Sequence, residues 1–363
     1  MADNLVVSVS PHIRAKHTTR SIMARVLIAL APALVAAAVF FGASVVIQAA
    51  LCVVFCAASE FLFGLFRVLA AKRKFGKADA KKSGMWDLSC AVTGLLLALN
   101  LPVFLKKGAG GAAYNMAGMF DFSHIDWGNM VFLCFVGSVV AIVLVKMAFG
   151  GIGKNFANPA LTARIFLMLC FTSFMGAAVR NVMMPADVAT GATFLGMGEA
   201  APAAFRTDYL MMFLGVKNAA AVGEVSAAAL LAGGVYLCVI KVIDWKLPLA
   251  VLLSAALFIF LFSGFKIELT LTHILSGGLF LGAIFMATDY STSPNTFAGS
   301  MVYAVGIGFF VALLRFKSDY PEGVSFAIVI MNIVTPLIDK YIVPIPFGGR
   351  VKRAKKKPRA VNG

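Results

Sequence analysis

Apolar residues dominate the chain in long blocks, separated by short polar or basic stretches. Ten blocks read as membrane-spanning helices, at about 22–42, 45–66, 88–104, 129–148, 160–179, 224–240, 247–264, 269–287, 298–314 and 323–339, since a spanning helix takes roughly 20 predominantly apolar residues. The third block is short and holds Asn100 and Pro102 near its end. The pattern predicts an all-α integral membrane protein of about ten helices, because only helices and closed barrels satisfy every backbone group inside lipid. It divides the chain into an N-terminal segment 1–20, a polytopic domain 21–340 and a basic tail 341–363.

The basic residues orient this bundle. With the N-terminus in the cytoplasm, the inside segments hold 24 of the 32 Lys and Arg residues, among them the run from Arg67 to Lys82, the loop bases from Lys146 to Arg164 and the tail after Asp339. That bias is what the positive-inside rule requires of ten spans with both termini cytoplasmic. The tail VKRAKKKPR reads as a solvated anchor or a contact for acidic lipid. Two long segments, Leu105 to Gly128 and Arg180 to about Gly223, fall outside. Loops of that length are usually kept for function.

Composition excludes several classes. Of 363 residues, 61% are hydrophobic and 13% charged, against about 45–50% and about 25% in soluble domains. A soluble enzyme, a secreted protein and a nucleic-acid-binding domain are therefore poor readings. The net charge of +16 sits in blocks between apolar runs, as topology demands, with no basic stripe interleaved with aromatics. The six cysteines, Cys52, Cys56, Cys90, Cys134, Cys170 and Cys238, form no CxxC and read as small buried hydrophobes. A disulfide framework, or a zinc or iron–sulfur site made by this chain alone, is not expected. No cleavable signal peptide is evident, because the first 20 residues are polar and basic and the first apolar run is long enough to span.

A weak internal repeat links VTGLLLALNLPVF (Val92 to Phe104) in the third block with LSGGLFLGAIFMAT (Leu275 to Thr288) in the eighth. An offset of five spans would make two inverted five-helix halves, an arrangement that places ligand sites between the halves. Chance similarity between two apolar helices is the competing account.

Two segments carry chemistry. Gly150 to Ala160, GGIGKNFANPA, lies inside between the fourth and fifth blocks. Its glycines permit tight turns and close ligand approach, and Pro159 suits the first turn of a helix. Asn155 and Asn158 would face one way if they shared a helical turn. The plainer reading is a Gly-rich turn with an Asn cap. It is not a Walker loop, since Lys154 lacks the required spacing and a following Ser or Thr. The second segment is Asp187-Val188-Ala189-Thr190-Gly191-Ala192-Thr193, in the second long outside loop. It resembles the flavinylation motif Asp-x-x-Ser/Thr-Gly-Ala-Thr of membrane redox subunits, in which a transferase joins the FMN phosphate to the hydroxyl of the last Thr. A hydroxyl is needed to form the phosphoester, and small Gly191 and Ala192 would let the nucleotide approach.

Further segments widen the resemblance to nearly the whole chain: SPHIRAKHTTRSIM, TGLLLALNLP, GKNFANPALT, SGGLFLGAIFMATDYSTSP and YPEGVSFAIVIMNIVTPLID. Together they are similar to the D-subunit family of Rnf complexes, the ion-pumping ferredoxin:NAD oxidoreductases. The related B subunit of sodium-translocating NADH:quinone reductase shares the flavin motif and the Asn-rich segment but usually has a longer N-terminal arm. The resemblance implies a prokaryotic inner-membrane subunit with covalent FMN at Thr193 on the outer face. Asp187, Thr190, Gly191 and Ala192 would complete its attachment motif, with Thr190 where Ser is frequent. It also implies a noncovalent riboflavin nearer the cytoplasm, with Asn155 and Asn158 at matching positions. The partners implied are the iron–sulfur and flavin subunits of the complex, a flavin transferase for maturation, and membrane lipid. No catalytic residue and no complete active site is expected in this chain alone, and no GxGxxG follows a strand to bind NAD. The alternatives are the quinone reductase subunit and, in another class, a non-redox channel or transporter on an inverted bundle.

The buried acids complete the reading. Glu60 lies within the second block, where an ionised carboxylate is costly. It is either a site on a Na⁺ or H⁺ path or a locally paired structural residue. Asp289, Glu322 and Asp339 fall at block ends and read as interfacial. His273 reads as a hydrogen-bonded core residue, and the 17 Met and 32 Phe residues as packing material.

Overall fold

In a computed structural model, residues 18–70, 87–104, 123, 125–175, 209–215, 221–318 and 323–343 are described. Each of the ten apolar blocks carries helix: α1 Thr19–Phe41, α2 Ser44–Ala70, α3 Ser89–Asn100, α4 Trp127–Met147, α5 Pro159–Cys170, α6 Ala227–Val239, α7 Lys246–Phe262, α8 in two pieces Ile267–Leu275 and Leu279–Met286, α9 Phe297–Lys317 and α10 Val324–Tyr341. Single turns at Thr172–Met175 and Val222–Glu224 and a short helix Tyr209–Leu214 flank them. The N-terminal segment to residue 17, most of both long outside loops, and the tail from residue 344 lie outside the described residues, so the limits assigned to those regions stay expectations.

Ten full-length crossings are not present among the described residues. Five helices, α1, α2, α4, α9 and α10, are long and apolar enough to cross a membrane, and a sixth if the two pieces of α8 count as one span. The shortfall has local causes. Helix α3 stops at Asn100 because Leu101 precedes a proline and is pushed to extended backbone, φ −88 and ψ 151. Residues 101–104 continue without helix, where the third block had predicted it. Helix α8 breaks at Ser276-Gly277-Gly278, where Gly277 has φ +74, and its pieces meet at 64°. Helix α5 ends at Phe171, whose φ −128 and ψ 44 leave the helical region.

The packing repeats at an offset of five. Helix α2 packs on α3 and α4, and α5 packs on α3 and α4; likewise α7 packs on α8 and α9, and α10 on α8 and α9. The two interrupted helices, α3 and α8, hold corresponding places, as the similarity between Val92–Phe104 and Leu275–Thr288 had suggested. The halves join where α1 packs along α6. Small residues make that contact possible: Ala29, Ala33 and Ala37 are buried at four-residue spacing on α1, and Gly233 of α6 meets Ala29. A Cβ at Gly233 would strike the carbonyl of Ala29 and crowd Phe285. Close backbone approach of this kind is how helices associate in lipid. The outward faces are apolar, with Val35, Leu62, Leu69, Val239, Leu253 and Val305 all exposed, as lipid contact requires.

Gly233→Val should therefore separate α1 from α6. We expect the melting temperature of the detergent-purified protein to fall by several degrees, since overpacking costs about 1–3 kcal/mol or more. Val235→Leu, at a 60% exposed position on the same helix, should leave it unchanged.

Candidate cofactor pocket and buried ion pairs

The Gly150–Ala160 segment folds as a turn that feeds a capped helix. Gly150, Gly151 and Gly153 have φ +114, +93 and +81, conformations that only glycine adopts freely. Asn158 caps α5: its Oδ1 accepts from the backbone N–H of Ala160 at 3.1 Å and of Leu161 at 3.4 Å, and Pro159 takes the first helical position. Its Nδ2 donates to the carbonyl of Met286 at 3.5 Å, tying the start of α5 to the end of α8. Asn155 lies in the turn ahead of the helix, so the two amides do not share a helical turn. Both nevertheless line one cavity of about 600 Å³.

This cavity opens among α1, α3, α6, α8 and α10, at the ends that the charge pattern assigns to the cytoplasm. Its apolar wall includes Met23, Val26, Leu96, Leu237 and Phe285, and its polar wall Asn155, Asn158, Ser89, Lys146 and Asp289. The Oδ1 of Asn155 is buried without a hydrogen-bond partner. A cavity of that size, mostly apolar with a few convergent polar groups, suits a cofactor-sized ring system.

Glu60 is not a lone carboxylate. Lys146 Nζ donates to its Oε2 at 2.7 Å and to Ser89 Oγ at 2.7 Å, and both charged side chains are 2% exposed. The last eight residues of α4, Val140–Met147, are wound as a π-helix that carries Lys146 into the bundle, and such segments concentrate at functional sites. Lys146 and Ser89 also reach the cavity wall, so the ion pair adjoins the pocket. Counting Lys146 among the loop bases missed this. The available signal was that it falls inside the apolar block 129–148.

A second buried pair, also missed, lies at the other end of α3. Arg164 Nη1 donates to Asn100 Oδ1 at 2.8 Å and to Glu224 Oε1 at 2.8 Å, and the two charged side chains are 4% and 0% exposed. Arg164 had read as an inside base, but it stands within α5, on the buried face that also holds Ala160 and Leu167.

The remaining acids sit at helix ends, as expected. Asp289 accepts from the backbone N–H and hydroxyl of Ser291. Burial raises its carboxyl above the ordinary range, and the bonds from Ser291 oppose this. Asp339 accepts from the N–H and side-chain amide of Asn295, at 3.2 and 2.9 Å. His273 is buried and stacks on Phe316 at 4.9 Å, and its carbonyl accepts from Arg315. Cys52, Cys56, Cys90 and Cys134 are buried thiols, Cys238 is half-buried and Cys170 is exposed. No cluster that could hold a metal occurs among the described residues. Asp187, Thr190, Gly191, Ala192 and Thr193 of the flavinylation motif, and Glu322, lie outside the described residues.

The profile of the NQR2, RnfD, RnfE family matches residues 6–107 and 127–348. The chain belongs to this family. Among curated relatives, it is 39% identical to the D subunit of the Na(+)-translocating ferredoxin:NAD(+) oxidoreductase complex of Acetobacterium woodii, over 98% of this chain and 99% of that one. It is 31% identical to the D subunit of the proton-translocating ferredoxin:NAD(+) oxidoreductase complex of Clostridium ljungdahlii, over 95% and 96%. It is 30% identical to the D subunit of the ion-translocating oxidoreductase complex of Halorhodospira halophila, over 93% and 94%. As a member of the NQR2, RnfD, RnfE family, the chain is a multi-pass membrane protein.

Breaking either buried pair on one side should cost about 3–5 kcal/mol, because the surviving charge is stranded in apolar surroundings. Lys146→Met alone should lower the melting temperature markedly, and Lys146→Met with Glu60→Leu should recover most of the loss. A double-mutant cycle read by thermal unfolding checks this, and additive losses would contradict a coupled pair.

Proposed function

We propose that this chain is the flavin-carrying D-type subunit of an ion-translocating ferredoxin:NAD oxidoreductase complex. Relatives that bear such names align with it over nearly their full lengths, and the pocket is what its own residues add. In this reading the chain relays electrons between chemistries housed on partner subunits, and that flow is coupled to movement of Na⁺ or H⁺.

The observation that supports a cofactor in the pocket is the buried, unsatisfied Oδ1 of Asn155, a residue that lines the cavity together with Asn158. Riboflavin fits this donor set: its ring offers both hydrogen-bond donors and acceptors, and the apolar wall suits its dimethylbenzene edge. Such a flavin supplies one- and two-electron transfer when bound. Asn155 would hold the ring edge, while Asn158 fixes the wall by capping α5 and strapping it to α8.

The second cofactor of the proposal is FMN joined through its phosphate to Thr193 within Asp187–Thr193. The charge pattern puts this loop on the outer face of the inner membrane and both termini in the cytoplasm. A flavin transferase and the iron–sulfur and flavin subunits of the complex are the partners this requires. Glu60, beside the pocket and paired with Lys146, stands where a translocated cation could be coupled to the charge of the occupant. We expect Glu60→Gln to impair ion movement more than flavin content.

Two measurements test the cofactors. The chain is co-expressed with a flavin transferase and run on a denaturing gel under ultraviolet light. A fluorescent band in the wild type, absent in Thr193→Ala, is the expected result, and no band in the wild type would remove the covalent flavin. Acid extraction of the same preparations should release riboflavin from the wild type and less than half as much from Asn155→Leu. Equal amounts from both would take Asn155 out of the pocket.

A further inference from the structure

The Arg164–Glu224–Asn100 cluster sits apart from the flavin pocket in a different setting. It lies where the interrupted third and eighth spans meet. Asn100 is the last residue of α3, and it also donates to the carbonyl of Leu96 and to the sulfur of Met286 at the end of α8. Glu224 ends the single turn before α6, and that turn is held against α3 by the Val222 N–H donating to the Leu101 carbonyl. Gly223 and Gly278 permit this closeness. A Cβ at Gly223 would collide with Leu99, and one at Gly278, in the break of α8, would collide with Glu224 Oε1. The carboxylate is thus enclosed between the end of one broken helix and the break of the other.

Two oxygens, Glu224 Oε1 and Asn100 Oδ1, converge on one positive group, Arg164 Nη1, each at 2.8 Å. A helix C-terminus adds its partial negative charge at the same point. Half-helix C-terminal ends coordinate Na⁺ or H⁺ at the discontinuous helices of membrane transporters, and carboxylate and amide oxygens are the ligands hard cations take. A proton would need the carboxylate alone, so the convergent amide oxygen favours a metal cation.

We propose that Glu224 and Asn100 form a transit site for a sodium-sized cation, with Arg164 as the tethered counter-ion that the cation displaces. The proposal rests on the reading of the chain as an ion-translocating subunit. Asn100 and Ser89 are eleven residues apart on α3, or about 16 Å at 1.5 Å per residue. The site therefore lies well away from the Glu60–Lys146 pair.

The test uses the assembled complex in sealed vesicles, driven by reduced ferredoxin and NAD⁺, with uptake of ²²Na⁺ measured per NADH formed. A merely structural pair would change both rates together and leave their ratio intact. Glu224→Gln is expected to lower the ratio at least fivefold. Glu224→Asp keeps the charge and decides the matter if Glu224→Gln does not assemble: its half-saturating Na⁺ concentration should rise at least threefold. Wild-type ratio and half-saturation in the assembled variants would overturn the site and leave the functional reading standing. Wild-type vesicles that take up protons and no ²²Na⁺ would overturn the metal-cation assignment. Wild-type vesicles that move neither ion would overturn the translocation reading, and the site with it.

Discussion

A helix interrupted in apolar surroundings exposes backbone groups that only the protein itself can satisfy. Two helices of this bundle, α3 and α8, are interrupted, and the rest of the structure is arranged around them. Gln48 of α2 donates to the carbonyls of Ala98 and Pro102, on either side of the end of α3. Val222 donates to Leu101. At the break of α8, Arg315 of α9 donates to the carbonyls of His273 and Ser276. The end of α3 is thus held by α2 of its own half and by the turn that leads into α6, and the break of α8 by α9 of its own half.

The two halves solve the same problem with different chemistry. Lys146, near the end of α4, reaches the first residue of α3, and Arg315, near the end of α9, reaches the break of α8. Both are basic residues carried into the bundle at corresponding places. Lys146 is matched by a carboxylate, Glu60, whereas the two bonds described for Arg315 go to carbonyl oxygens. The first half therefore holds a fixed ion pair beside a cavity, and the second spends its charge on closing a helix break.

Much of this architecture was legible from the periodicity of apolar blocks, and the limits of that signal are specific. Block positions marked α1 to α10, because burial in lipid or in protein makes the same demand for apolar side chains, but not the short helix Tyr209–Leu214. Length was misjudged where a local rule overrode hydropathy. Leu101-Pro102 ends α3 inside an apolar block, and Ser276-Gly277-Gly278 breaks α8 inside another. The Pro and Gly signals were visible but apolar content outweighed them. Asn155 and Asn158 line one cavity, through a turn and a cap and not a shared helical face. Charge partners were the illegible part. Lys146 and Arg164 counted as loop bases, since sequence separations of 86 and 60 residues leave no local trace of Glu60 or Glu224. Only the packing of α2 on α4, and of α5 and the turn before α6 on α3, brings them together.

Buried ion pairs are poor devices for stability alone, because desolvation offsets most of the attraction and apolar replacements are often as stable. Among the described residues this chain keeps two of them, one at each end of helix α3, in a bundle otherwise able to pack apolar residues throughout. On the proposed reading, their locations are those where charge changes during ion and electron movement: against the wall of the pocket and where α3 ends beside the break of α8. A fixed pair at such a point lowers the cost of a transient charge, since exchanging a partner is cheaper than creating a charge in apolar surroundings. Interrupting α3 and α8 makes the same exchange possible for the backbone, whose terminal groups and dipoles become available inside the bundle. Broken helices and tethered counter-ions are then two parts of one solution, which lets charge cross a region that uninterrupted apolar helices would seal.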